Sequence, residues 1–311
     1  MRFVLLSLAL AAIAVSAAEP GAITVGNRAY RSLQDAVNAI GDGEGTIVIA
    51  PGVYRQCAVQ EAGRITFRAA QPGTVILDSK ACEDKAGLVL RGRATRVEGL
   101  IFRGYAVADK DGAGIRIEQG DLVVTSAMFL DSELGIMGGA RRPGGPRRVD
   151  QRITIDRTTF SGLGRCRPDN CSHAVYLWTG TATIANSRFE RGRGGHYVKL
   201  RTPAVSITGN SFDDRAGTMT SRMIDLPEGA TGTIANNSFV QGLHKDNASE
   251  LIAVRAEFLT YPSAGLVVRD NVASLTPGQR TQPTFIVDWS HERLAIGANR
   301  FGPGIRPFAS K

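Results

Sequence analysis

Six residues in one short stretch have the types that proton transfer and sugar binding require: His173, Tyr176, Trp178, His196, Lys199 and Arg201. Lysine, tyrosine and histidine move protons, arginine clamps a carboxylate, and an outward indole is a platform for a sugar ring. Their spacing repeats. His173 and His196, Tyr176 and Lys199, and Trp178 and Arg201 are each 23 residues apart, as are Ile184 and Ile207, and Phe189 and Phe212. An apolar framework is thus written twice while the polar residues between it change type. That pattern predicts two stacked coils of a solenoid with a chemically unusual strip on one face. A single outward lysine or arginine is normally just solvated, so the reading rests on the clustering.

The framework runs well beyond these two coils. A β-branched residue is followed five positions later by phenylalanine at Val97/Phe102, Val124/Phe129, Ile155/Phe160, Ile184/Phe189, Ile207/Phe212, Ile234/Phe239 and Ile296/Phe301, with Val268/Ala273 as a variant. Successive anchors are 27, 31, 29, 23, 27, 34 and 28 residues apart, which suits coils closed by loops of varying length. Asn210, Asn237, Asn271 and Asn299 fall three residues after their anchors. Asparagine tolerates the left-handed region and bonds turn backbone, so a stacked ladder is expected.

Before the anchors lies a second strand, at 114–118, 174–178, 197–201, 223–226 and 285–288. Period-two alternation turns Ile115, Ile117, Val175, Leu177, Val198, Leu200, Ile224 and Leu226 inward. Coils stacked about 4.8 Å apart then line up Arg116, Tyr176, Lys199 and Asp225 as one outward column, with Arg116 displaced by the coil that holds Met137. Glu118, Trp178 and Arg201 form a second column, and the two histidines meet at the strand entrance.

The start of the chain reads as an export signal. Residues 1–18 combine Arg2, an apolar run and small residues at 15–18, the pattern of a signal peptide, which leaves 19–311 as a single exported domain, periplasmic or secreted. The run is too short to span a membrane, and no comparable run follows. The formal net charge is +8, or +7 without Arg2, which points to an anionic partner. No nucleic-acid motif is present, and an acidic polysaccharide fits export best. The four cysteines suit an oxidising compartment. Cys166 and Cys171 close a small loop, and Cys57 and Cys82 lie about one coil apart, so these two pairs are expected. Leu33, Ala36, Val37 and Ile40 share one helical face between the N-cap Ser32 and the stop at Gly41 and Gly43. A strand at 46–50 follows, so this helix is placed to cover the first coil.

The opening SLQDAVNAI…TIVIAPGVY, the coil repeat with its Phe and Asn stacks, and the order of cap then coils resemble one superfamily. It is the right-handed parallel β-helix group of pectate lyases, polygalacturonases, pectin methylesterases, and alginate or chondroitinase-type lyases. The resemblance covers most of residues 21–302 and implies an all-β fold, a single-stranded right-handed parallel β-helix with a short capping α-helix. For activity it implies action on, or binding of, an acidic polysaccharide. No member's full catalytic motif is present, and the fold hosts many activities. Insertions at 138–148 and 256–265 follow outward strands, and those at 162–172 and 241–250 precede them. Together they are expected to wall a groove for a polymer chain.

The resemblance makes β-elimination the favoured reaction. Such lyases remove the C5 proton of a uronate and expel the 4-linked oxygen, so the uronate carboxylate must be neutralised. Lys199 is the expected base, with Arg201 favouring its neutral form and Asp225 opposing that. Arg201, or Arg141 or Arg142 of the 138–148 insertion, would pair with the carboxylate. Tyr176, His173 or His196 would protonate the leaving oxygen, while Trp178, Arg116 and Asp225 hold the sugar. A C5 epimerase shares the first step. Hydrolysis needs two carboxylates, for which Asp213, Asp214, Asp225, Asp288 and Glu118 are available, but Asp213 and Asp214 follow Phe212 at a turn, which ranks hydrolysis lower. A non-catalytic polysaccharide-binding surface protein is the reading from a different class. Histidines bonded into backbone turns would favour it. No cofactor is called for; calcium would help neutralise a carboxylate, yet no acidic cluster marks a metal site. A monomer is expected.

Overall fold

A computed structural model describes residues 22–139, 150–167, 171–258 and 260–311. β-Branched and aromatic residues at alternate positions keep each short segment extended, and one apolar face per strand wraps the strands around a shared interior. The outcome is the right-handed parallel β-helix expected from the repeat, with about nine turns. Its strands form three stacked sheets of 12, 10 and 10 strands. The first sheet carries the anchors in unbroken register from Val97 through Val124, Ile155, Ile184, Ile207, Ile234 and Val268 to Ile296. The second carries the phenylalanines, and the third carries the outward strip. No helix among the described residues is long and apolar enough to cross a membrane.

The interior is set by the repeat. Phe102, Phe129, Phe160, Phe189, Phe212 and Phe239 stack with centroids 4.7–5.0 Å apart and planes within 8°. Coil spacing dictates that distance, because each ring occupies the same place one strand further along. Where Ala273 replaces phenylalanine, Phe285 of the third sheet fills the gap, edge-on to Phe239 at 5.3 Å and against Phe301 at 5.0 Å. Missing volume on one sheet is made good from another.

The asparagine ladder forms as expected, with one correction. Backbone and side-chain N–H groups of Asn210 both donate to Oδ1 of Asn237, at 2.9 and 3.0 Å, and Asn237 does the same to Asn271 and Asn271 to Asn299. Each of these side chains also donates to an anchor carbonyl one coil back, Ile184, Ile207 or Ile234. The left-handed residue is the one before, namely Gly209, Asn236 and Asp270. The ladder asparagines spend their amides across coils, so the bend is taken one position earlier.

The N-terminal end is closed by the helix Leu33–Ile40, with Ser32 accepting from the Asp35 amide at 3.1 Å and Gly41 as C-cap at φ 56°. Leu33, Ala36 and Val37 are buried against the first coil. Gln34 completes the closure by pairing with the edge strand Ala58–Gln60: its Oε1 accepts from Val59 N at 2.7 Å and its Nε2 donates to Val59 O at 3.0 Å. One side chain thus satisfies an edge that is otherwise a template for aggregation. Both expected disulfides, Cys57–Cys82 and Cys166–Cys171, are present.

The third sheet positions the strip. Its central outward column runs Arg116, Met137, Tyr176, Lys199, Asp225 and Ala253 in register, with Met137 between Arg116 and Tyr176. The outward face is not uniformly polar. Ala86, Val89, Ala113, Leu134 and Met137 form a second, small apolar cluster on it, against which Tyr176 and Trp178 pack. The polar strip therefore begins where an apolar patch ends.

Candidate functional site

Tyr176, Lys199, Arg201, His173, His196 and Asp225 converge as the register requires, and they are largely covered. Arg201 organises the cluster. Its Nε donates to the Tyr176 hydroxyl at 3.0 Å, its Nη1 meets Glu228 at 3.1 Å and its Nη2 meets Glu257 at 2.5 Å. Burial works against the Arg201 charge, but bonding to Tyr176 and then Glu257 outweighs it and raises the guanidinium pKa further. Lys199 Nζ lies 2.7 Å from the other oxygen of Glu257 and 3.4 Å from Asp225. Lys199 is thus paired with two carboxylates, where only Asp225 was expected to oppose the neighbouring Arg201. Arg222 bridges Asp225 at 3.2 Å and Glu250 at 2.7 Å. Three cations, Lys199, Arg201 and Arg222, thus face four carboxylates, Asp225, Glu228, Glu250 and Glu257.

The histidines divide their duties. Their rings face outward and stack at 4.8 Å, one above the other. Nδ1 of His173 accepts from the His196 amide at 3.0 Å, and Nδ1 of His196 accepts from the Arg222 amide at 3.1 Å. Both are therefore tied to turn backbone, the arrangement that favours a structural role. An acceptor at Nδ1 leaves the proton of the neutral ring on Nε2. His196 Nε2 lies 3.3 Å from Asp225 Oδ2, and the His173 ring stands edge-on to Tyr176 at 5.1 Å. Both rings accept backbone N–H groups through Nδ1, and neither is poised as a base.

Burial pushes both histidine pKa values well below 6.5, helped for His173 by His196 and Lys199 and for His196 by Lys199 and Arg222. Each is neutral in the folded chain, whereas the unfolded chain protonates it below about pH 6.5. Stability should be full above that pH and fall as pH drops beneath it, by about 1.4 kcal/mol per pH unit per histidine. Urea unfolding from neutral to mildly acid pH checks this. His173→Asn and His196→Asn, which keep an acceptor for the backbone amide, should each flatten the dependence; slopes equal to the parent's would contradict it.

The remaining sequence candidates fall around this cluster. Trp178 is not an open platform: its ring packs edge-on against Tyr176 at 5.1 Å and beneath the Arg116 guanidinium at 5.2 Å. Its Nε1 is buried without a hydrogen-bond partner among the described residues. Arg116 contacts Met137 Sδ at 2.9 Å, has a buried, unpartnered Nε, and has no ion-pair partner among the described residues. Arg141 and Arg142 lie outside the described residues. The carboxylates considered for hydrolysis are mostly engaged elsewhere. Asp214 accepts from Tyr197, Thr220 and Gly242 and holds the buried Lys245 at 3.1 Å, Asp213 pairs with Arg215, and Glu118 pairs with Lys85 and Arg91. Asp288 is buried and caps the Ser290 amide. Only Asp225 sits in the cluster.

Several residues of the site were not singled out from sequence. Arg222 and Glu250 were findable, because they precede Asp225 and Ala253 by three positions, as His196 precedes Lys199. Trp289, flanked by Arg222 at 5.8 Å and Lys311 at 5.2 Å, occupies the same column as Trp178 and Arg201. Glu228 and Glu257 lie beyond strand ends, where the repeat has no phase to betray them. Glu257, near the start of the 256–265 insertion, reaches Lys199 and Arg201 of the third sheet, while Lys245 of the 241–250 insertion pairs with Asp214. Compared with known protein families and with curated proteins, the chain matches none.

Proposed function

We propose that this is an exported enzyme that cleaves an acidic, uronate-containing polysaccharide by β-elimination, with Tyr176 as the proton-transfer residue and Arg201 with Lys199 as the carboxylate-neutralising pair. One observation carries the reading: a single guanidinium, Arg201, holds the Tyr176 hydroxyl on its Nε edge and a carboxylate on Nη2, with Lys199 completing the carboxylate's other side. In a uronate the proton to be removed is on the carbon bearing the carboxylate. A uronate carboxylate held on Lys199 and Nη2 would bring that carbon to the same guanidinium that holds the phenol.

The steps balance without an added reactant. Tyr176 reacts as the phenolate, with Arg201 Nε donating to its oxygen, and takes the C5 proton; the electron pair forms the C4–C5 double bond as the C4–oxygen bond breaks. The phenol then returns its proton to the leaving oxygen. Negative charge developing on the uronate is met by Lys199 and Arg201, aimed there before the reaction starts. Arg116, which has no ion-pair partner among the described residues, receives the carboxylate of an adjoining sugar. The two disulfides support export.

The test is a panel of polyuronates and glycosaminoglycans, each with and without calcium, followed by the ultraviolet absorbance of the unsaturated uronate product. Absorbance growing with at least one polymer is expected. Retention of polymers with no product from any would assign the strip to binding alone, and a change of uronate configuration without cleavage would assign epimerisation.

A further inference from the structure

Resting on the elimination reading, we infer that Glu257 occupies the uronate-carboxylate subsite in the free protein, as a built-in placeholder that an acidic substrate must displace. Its two oxygens straddle Lys199 Nζ at 2.7 Å and Arg201 Nη2 at 2.5 Å, the bridging arrangement that a substrate carboxylate would adopt on the same pair.

Exposure singles it out among the four carboxylates. The Glu257 side chain is 31% exposed, against 0% for Asp225, 3% for Glu228 and 4% for Glu250. Only Glu257 is free to swing into solvent. Its backbone stays in place when it does, because the Glu257 and Phe258 amides both donate to Pro227 O, at 2.9 and 3.2 Å. Release is therefore a side-chain rotation, with no loop opening required.

Charge counting points the same way. With Glu257 in place the cluster has one carboxylate more than it has cations. With Glu257 rotated out, Lys199 keeps Asp225, Arg201 keeps Glu228 and Arg222 keeps Glu250, so the cradle remains assembled and neutral. An incoming carboxylate then restores the resting arrangement at little reorganisation cost. A neutral sugar brings no charge to replace the one it displaces and leaves Lys199 and Arg201 unmatched.

The experiment compares the parent protein with Glu257→Gln, which keeps the shape and removes the charge. Binding of oligogalacturonate, oligomannuronate and hyaluronan oligosaccharides is measured by calorimetry, with a neutral cello-oligosaccharide as control. An occupied subsite lowers apparent affinity by the fraction of time it is closed. For a partly exposed ion pair, Glu257→Gln should therefore tighten binding of the acidic probe by about tenfold. Unchanged or weaker acidic binding in Glu257→Gln, with the parent binding normally, overturns the placeholder and leaves the elimination reading standing. If neither protein binds any acidic probe, the elimination reading itself fails and the placeholder falls with it.

Discussion

Tyr176→Phe should leave the protein folded and able to bind substrate, and should lower kcat by about 10²- to 10⁴-fold, the usual worth of a positioned proton-transfer group. The substitution removes one oxygen and keeps the ring that packs against His173, Trp178 and the outer apolar cluster. The stability change should stay at about 1 kcal/mol, because among the described residues one hydrogen bond is lost, the one from Arg201 Nε. KM should move little, since the hydroxyl acts in the transition state more than in substrate binding. Steady-state kinetics beside a urea melt separates these effects. A variant with near-parental kcat would move the base away from Tyr176.

Arg201 should be the most sensitive position for both activity and stability. Arg201→Ala removes one partner each from Tyr176, the buried Glu228 and Glu257 together. Breaking such a buried pair from one side costs about 3 kcal/mol. Its kcat/KM should fall by about 10³-fold or more, because carboxylate neutralisation and phenolate stabilisation are lost at once. Arg201→Lys keeps the charge but cannot point donors in three directions, so it should recover stability better than activity. Adding Glu228→Gln to Arg201→Ala should restore part of the stability and none of the rate, which distinguishes a fold effect from a chemical one. Full activity in Arg201→Lys would mean that charge alone suffices and that the three-way geometry is incidental.

The fold was legible because its signal is redundant. Each anchor, phenylalanine and ladder asparagine repeats at a fixed phase, so errors at one coil are corrected by the next. Phe285 shows the limit: its role as substitute for the missing ring at Ala273 depends on packing across sheets, which the phase of one strand does not reveal. The columns of the strip were equally legible, down to the displacement of Arg116 by Met137. What sequence did not give was the company these residues keep. Lys199 was expected beside a cation, yet Glu257 arrives from an insertion 58 residues along the chain and pairs with it. Trp178 lies in the outward column as expected, but sequence does not show that the Arg116 guanidinium lies over its ring. His173 and His196 were correctly brought together, but which of their nitrogens is free follows from backbone amides of the next coil, a detail of turn geometry. Register fixes which side chains are neighbours; loops decide which of them are paired, covered or open.

The direct test of the central claim is the mass of the cleaved ends after reaction in heavy-oxygen water, using the polyuronate that the parent protein turns over best. Elimination predicts a new non-reducing end lighter by one water than a hydrolytic end, carrying a double bond and no heavy oxygen from the cleavage. Tyr176→Phe should form the same product at a small fraction of the rate. Ends that gain a full water with heavy oxygen, or tight binding with no cleaved end at all, would contradict the assignment of Tyr176, Arg201 and Lys199 to β-elimination.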